Sequence, residues 1–256
     1  MYSNIFDTHA HYNHRLFDYI RYATLSGMPD LGVSYILNCG SDEDSSFYSA
    51  ALAEDYDFVF SAAGIHPTSA SNLTDGWKER LLELLKHKKV IAVGEIGLDY
   101  HYGYTPPELQ RKLFAEFMEI ANERQLPVVI HDRDAHNDII SLINEYKPKG
   151  VVHRFSGSLK MMEQLIDLDM HMGFGCSIAY SKSQPERDAV RMIPIDRLLL
   201  ETDCPYLPPP DSKYEICRSD MISYAADTIA ELRPSYSAQQ IIDIATENGK
   251  RLFQIG

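Results

Sequence analysis

A chain of 256 residues, 45% of them hydrophobic, suits one α/β barrel of roughly 250 residues with a substantial core. A formal charge of −13 argues against a surface coated in basic groups for tight nucleic-acid binding, but not against a nuclease whose metal ions supply local positive charge. No apolar run approaches the roughly 20 residues of a membrane span, and no basic segment followed by an apolar stretch marks a secretory signal, so no membrane association is expected. Along the chain, short apolar runs read as strands at Asn4–His11, Val33–Gly40, Phe58–His66, Val90–Gly97, Pro127–His131, Val151–Phe155, His171–Gly175 and Leu198–Asp203. Between them, Trp77–Lys86, Pro106–Arg124, Ala135–Tyr146 and Ser158–Leu168 carry helical spacing. Thr105 and Glu108 resemble a capping box around Pro106, and residues 177–194 are less regular. From about Arg218 the chain is helical, with a second capping box at Ser237 and Gln240. This alternation predicts a single domain over residues 1–256: a (β/α)₈ TIM-type barrel of parallel strands with outer helices. An open doubly wound sheet is the alternative, weakened by the lack of a Gly-x-Gly-x-x-Gly phosphate loop.

Metal-capable residues fall at the ends of these strands. His9 and His11 are read as ending the first strand, Glu95 the fourth, His131 the fifth, His153 the sixth and Asp203 the eighth. In a barrel those ends share one rim, where active sites are built. Residues two apart on a strand face the same way, so His9 and His11 can chelate one ion. A lone histidine is more often a core or surface residue, and His14, His87 and His101 belong to that background. Glu95 and Asp203 follow apolar runs, where a buried carboxylate needs a partner. A buried hydrogen-bond network is the competing explanation of the whole set. The four cysteines form no Cys-x-x-Cys pair and suggest neither a zinc ribbon nor a disulfide scaffold; a reducing cytoplasm is the expected location.

Taken in order, the stretches Asp7–His11, Gly64–Pro67, Gly94–Tyr100, Leu126–Ala135, His153–Gly157 and Leu199–Leu207 give the chain its strongest signal. Together they resemble the TatD family of metal-dependent hydrolases, within the wider amidohydrolase-like barrels. The resemblance implies a binuclear centre in which His9, His11 and Asp203 hold one ion, His131 and His153 the other, and Glu95 bridges. It also implies deoxyribonuclease-like activity. Three stretches depart from the family pattern. Arg154 stands where a cysteine is usual and is expected to point away from the mouth, Ser177–Pro185 lacks the usual phenylalanine pattern, and Pro208–Arg218 lacks a basic loop with Asn-Glu-Pro.

Two divalent ions per chain are therefore expected as cofactors, drawn from zinc, manganese or magnesium. The imidazoles suit zinc, manganese or iron, whereas magnesium prefers oxygen ligands but falls within the family's tolerance. Such a pair of ions lowers the pKa of water toward neutrality. Asp203 and Glu95 are the catalytic candidates, with Asp203 orienting the nucleophile and taking its proton. His66 and Arg133 are the substrate-binding candidates, Arg133 through its planar fork. Asp99 and Asp7 are candidates for fixing histidine tautomers. Glu201 is expected to turn away from the mouth. The expected partner is DNA or a small phosphodiester or ester; no protein partner is implied, and a barrel of this kind can act as a monomer. Hydrolysis of a small-molecule ester, lactone or amide is the alternative activity, and a catalytically silent metal-binding protein the second alternative.

Overall fold

The computed structural model describes residues 1–180, 182–210 and 212–256. Ser181 and Asp211, which fall inside two of the departing stretches, lie outside the described residues. In chain order the elements are β1 (Ile5–Ala10), α1 (Arg21–Gly27), β2 (Val33–Cys39), α2 (Glu43–Glu54), β3 (Val59–Ala63), α3 (Trp77–Leu84), β4 (Val90–Asp99), α4 (Pro107–Arg124) and β5 (Val128–Arg133). They continue with α5 (His136–Tyr146), β6 (Gly150–Val152), α6 (Leu159–Asp167), β7 (His171–Phe174), α7 (Gln184–Met192), β8 (Leu198–Leu200), α8 (Ile222–Leu232) and α9 (Ala238–Phe253).

The eight strands pair in parallel in sequence order. The first meets the chain just past the eighth: Asp203 N–H donates to His9 C=O at 2.9 Å and His11 N–H to Cys204 C=O at 2.8 Å. This is the TIM-type barrel the sequence implied. Among the described residues no helix is long and apolar enough to cross a membrane.

Strand alternation divides the core into two layers. One set, including Phe6, Leu37, Ala92, Val129, Val151 and Leu199, fills the barrel interior. The other, including Ile36, Val59, Ile130, Val152 and Leu200, packs against Phe117, Ile139, Leu165 and Ile229 of the outer helices. Each such side chain contributes about 1.5–3 kcal/mol on full burial. Leu252 and Phe253 of α9 join the interior set, with the Phe253 ring edge-on to Phe6 at 5.9 Å. Phe6 lies near the start of β1, so this contact plugs the end of the barrel away from the strand C-termini.

One expected cap is not made. Pro106 is itself the N-cap of α4, with φ −56° and ψ 136°, and no side chain caps that end. A residue followed by proline is pushed out of the helical region, and Pro107 does this to Pro106. Thr105 donates instead to the Thr68 carbonyl at 3.3 Å. The capping box at Ser237 and Gln240 forms at the start of α9. The irregular stretch 177–194 contains part of a short 3₁₀ turn, Cys176–Ala179, and α7.

Candidate metal centre

Simple alternation brings some of the site residues inward. His131 lies two residues past interior Val129, and His153 two past Val151. Two strands need a change of phase. On β1 the pairing slips between Asp7 and Ala10, turning His9 toward the interior although Phe6 already faces it. On β4 it slips between Val93 and Ile96, and Glu95, three residues past interior Ala92 and so out of phase with it, turns inward. An irregularity of this kind re-aims side chains next to active sites. Gly97 then lets β4 approach β5 closely, since a Cβ there would lie 2.0 Å from the His131 carbonyl oxygen.

Convergence follows. His9 Nε2 and His11 Nε2 are 3.0 Å apart. Asp203 Oδ1 lies 3.8 and 3.5 Å from them, and Glu95 Oε2 lies 3.8 and 3.6 Å away. The other oxygen of Glu95 serves a second group. Oε1 is 3.0 Å from His131 Nδ1 and 2.9 Å from His153 Nε2, and those nitrogens are 3.2 Å apart. Donors around a tetrahedral zinc at about 2.0–2.1 Å stand roughly 3.3–3.4 Å from one another. The spacings of the first group bracket that value and those of the second, 2.9–3.2 Å, fall just short of it, so each donor set fits a divalent cation with at most a small outward shift. Paired imidazole nitrogens that close would otherwise oppose lone pairs or share a proton.

Each imidazole is also held from behind, as metal-ligating histidines usually are. His11 Nδ1 meets the Cys39 carbonyl at 2.8 Å, and His9 Nδ1 lies 3.6 Å from Cys39 Sγ. Asp99 Oδ2 meets His131 Nε2 at 3.1 Å, and Glu201 Oε1 lies 3.7 Å from His153 Nδ1. Asp7 reaches no imidazole in this way. Its Oδ1 accepts the N–H groups of His9 and Thr202, and its Oδ2 accepts the hydroxyls of Thr202 and Ser219, tying β1 to the chain after β8.

Charge follows the same division. Burial pushes the Glu95 carboxyl up, but His66, His153 and His131 outweigh it and hold it well below the usual range. Burial also raises Asp203, and His11, His9 and His153 bring it below its ordinary value. Burial, then His153, keep His9 well below the usual imidazole range. For His153 burial acts downward, yet Glu95 and Glu201 lift it to about 10. A cation would displace that proton, since only neutral imidazole ligates.

The family model described as TatD related DNase matches residues 6–254. An uncharacterized metal-dependent hydrolase of Bacillus subtilis, YabD, is 34% identical over 98% of this chain and 99% of its own length. The chain belongs to the TatD family of metal-dependent hydrolases. A TatD protein of Pectobacterium carotovorum named a 3'-5' ssDNA/RNA exonuclease is 33% identical over 88% of this chain and 89% of its own length. The crystal structure of YjjV, a TatD homolog of Escherichia coli, superposes with a TM-score of 0.92 at 30% identity, covering all of both chains.

At the mouth of this TatD barrel lies a cavity of about 560 Å³, lined by every ligand candidate except the fully buried His9 and by His66, Arg133, Arg154, Tyr102 and Tyr206. His66 Nε2 stands 3.6 Å from Glu95 Oε1, while its Nδ1 caps the following 3₁₀ turn by accepting from the Thr68 N–H. Burial lowers its pKa to about 4, leaving a neutral ring. Arg133 Nη1 donates to the Tyr102 hydroxyl at 2.9 Å, and its guanidinium lies over the Tyr102 ring. Among the described residues Arg133 makes no ion pair with a carboxylate.

Two orientations differ from the sequence expectation. Arg154 lines the cavity instead of pointing away, its Nη1 3.6 Å from Asp203 Oδ2. The strand β6 ends at Val152, and Arg154 sits in a left-handed turn with φ +47°, so alternation no longer applies. Glu201 does not turn away either. It lies two residues past interior Leu199, just beyond the end of β8, and its carboxylate faces His153. Alternation, applied from Leu199, would have identified it. Tyr102 and Tyr206 carried no periodic signal, because both sit in loops.

Proposed function

We propose that this protein is a two-metal phosphodiesterase of the TatD type that cleaves DNA. The observation that carries the reading is the division of Glu95, with one oxygen facing His9, His11 and Asp203 and the other facing His131 and His153. A single carboxylate shared between two donor groups is what a bridging ligand requires. When bound, two divalent cations polarise a phosphoryl oxygen and lower the pKa of water toward neutrality.

The chain's own residues supply the rest. Asp203 keeps Oδ1 toward the histidines and Oδ2 toward the cavity, where it orients the attacking water and takes its proton. Glu95 holds both donor groups together. His66, neutral and aimed at the same space, serves as a hydrogen-bonding group for a substrate oxygen. Arg133, braced by Tyr102, presents its remaining N–H groups to a phosphate. The nuclease names of two relatives, the Pectobacterium ssDNA/RNA exonuclease and a human 3'-5' RNA nuclease, TATDN2, that is 32% identical over 78% of this chain and 27% of its own length, support cleavage of a nucleic-acid phosphodiester, and the first supports single-stranded DNA as a substrate.

The acidic net charge keeps hydrolysis of a small ester or lactone as the second reading. The test compares labelled single-stranded DNA with lactone and ester substrates, using protein reconstituted with zinc, manganese or magnesium. Metal-dependent DNA cleavage that Asp203→Asn abolishes is the expected result. Turnover confined to the neutral substrates would overturn the nuclease reading, and cleavage persisting in Asp203→Asn would expose a contaminant.

A further inference from the structure

Arg154 offers five N–H donors at the cavity wall, yet among the described residues its side chain makes no hydrogen bond within 3.5 Å. Its nearest acid, Asp203 Oδ2 at 3.6 Å, is out of hydrogen-bond range. Glu186, the other acid that feels its charge, is engaged by the Ser177 hydroxyl at 2.8 Å. The backbone, by contrast, is pinned: the Arg154 N–H donates to Glu201 Oε1 at 2.6 Å. Glu201 also faces His153, so the turn carrying Arg154 is anchored to the same residue that braces a ligand candidate. A fixed base, a half-exposed fork and only a long ion pair to Asp203, with no hydrogen bond, describe a guanidinium positioned for an anion arriving in the cavity.

We propose that Arg154 is a substrate-binding residue that grips a phosphate oxygen and so selects anionic phosphoesters over neutral esters and lactones. The proposal rests on the phosphodiesterase reading for its substrate, but anion capture by Arg154 is measurable without turnover. Arg133 lines the same cavity, yet one of its donors is committed to the Tyr102 hydroxyl and its plane to the Tyr102 ring. Arg154 has neither commitment. As it closes on a phosphate it also leaves Asp203 Oδ2 facing the substrate instead of the guanidinium.

The experiment titrates inorganic phosphate into the metal-reconstituted full chain by calorimetry, for wild type, Arg154→Met and Arg154→Lys. The same proteins are assayed on bis(p-nitrophenyl) phosphate and p-nitrophenyl acetate, with metal content measured for each. A charge-assisted hydrogen bond contributes enough that Arg154→Met should weaken phosphate binding about ten- to hundredfold. The preference for the phosphodiester over the acetate should fall by a similar factor, KM should rise more than kcat falls, and Arg154→Lys should recover part of both. Phosphate affinity unchanged in Arg154→Met would overturn the proposal. So would an equal loss on both substrates together with lost metal, which would make Arg154 a support for Asp203. If the wild type binds phosphate through Arg154 but cleaves only the acetate, the anion site stands and the phosphodiesterase reading falls.

Discussion

Glu201 makes a sharp test of how the centre is braced. It is 1% exposed, its Oε1 lies 3.7 Å from His153 Nδ1, and its Oε2 has no hydrogen-bond partner among the described residues. His153 Nδ1 is likewise buried and unpaired by strict geometry, so the two groups face each other as an ion pair slightly too long to count as a bond. With a cation bound, His153 is a neutral ligand whose Nδ1–H faces that carboxylate, which fixes the tautomer and raises the basicity of the ligating Nε2. Glu201→Gln keeps the side chain's volume and the bond from the Arg154 N–H but removes the charge. Losing that charged acceptor should cost about 1.4–2.7 kcal/mol, or roughly 10–100-fold in affinity for a cation held by His153, as is usual for removing a partner behind a ligating histidine. Chelator competition with zinc reads the two affinities, and urea unfolding of the chelated protein reads the fold separately. One affinity should fall and the other hold. Two wild-type affinities in Glu201→Gln would refute the bracing role, and two equally weakened ones would mean that Glu201 shapes the whole site.

Other perturbations read different parts of the molecule. Glu95→Ala should leave fewer than two ions per chain by metal analysis and lower turnover by at least about 10²–10³-fold, and unchanged stoichiometry would remove it from the bridge. Gly97→Ala places a Cβ 2.0 Å from the His131 carbonyl oxygen at φ +139°, so thermal melting should show a loss of more than about 1 kcal/mol, accompanied by weaker metal binding. His171, buried beside Arg197 and Arg251, has a pKa lowered to about 4, first by burial and then by those arginines. The unfolded chain, titrating near 6.5, therefore takes up the proton first. Stability should fall by about 2–3 kcal/mol as pH drops from 6.5 to 4 and then level off. Urea unfolding across that range should show a shallower fall for His171→Gln.

The barrel and its ligand candidates were legible for one reason, and the rim was illegible for the same reason. Strands buried on both faces appear as short apolar runs, and a histidine or carboxylate just past such a run has few bland explanations. That logic reached His131 and His153 by plain alternation. It reached His9 and Glu95 only because their chemistry was conspicuous, since the slips in β1 and β4 that turn them inward are set by neighbouring strands and leave no periodic trace. Where the strand stops, the logic stops. Val152 ends β6, and two residues later a left-handed turn swings Arg154 into the cavity that alternation assigned it away from. Tyr102 and Tyr206 lie in loops with no period to read. The metal chemistry is thus encoded in the repeating scaffold, whereas substrate choice is encoded in single loop conformations. Two chains with the same six ligand candidates can therefore share a reaction and differ in substrate, and in this one the difference should be sought at Arg154, Arg133 and Tyr102 before it is sought among the ligands.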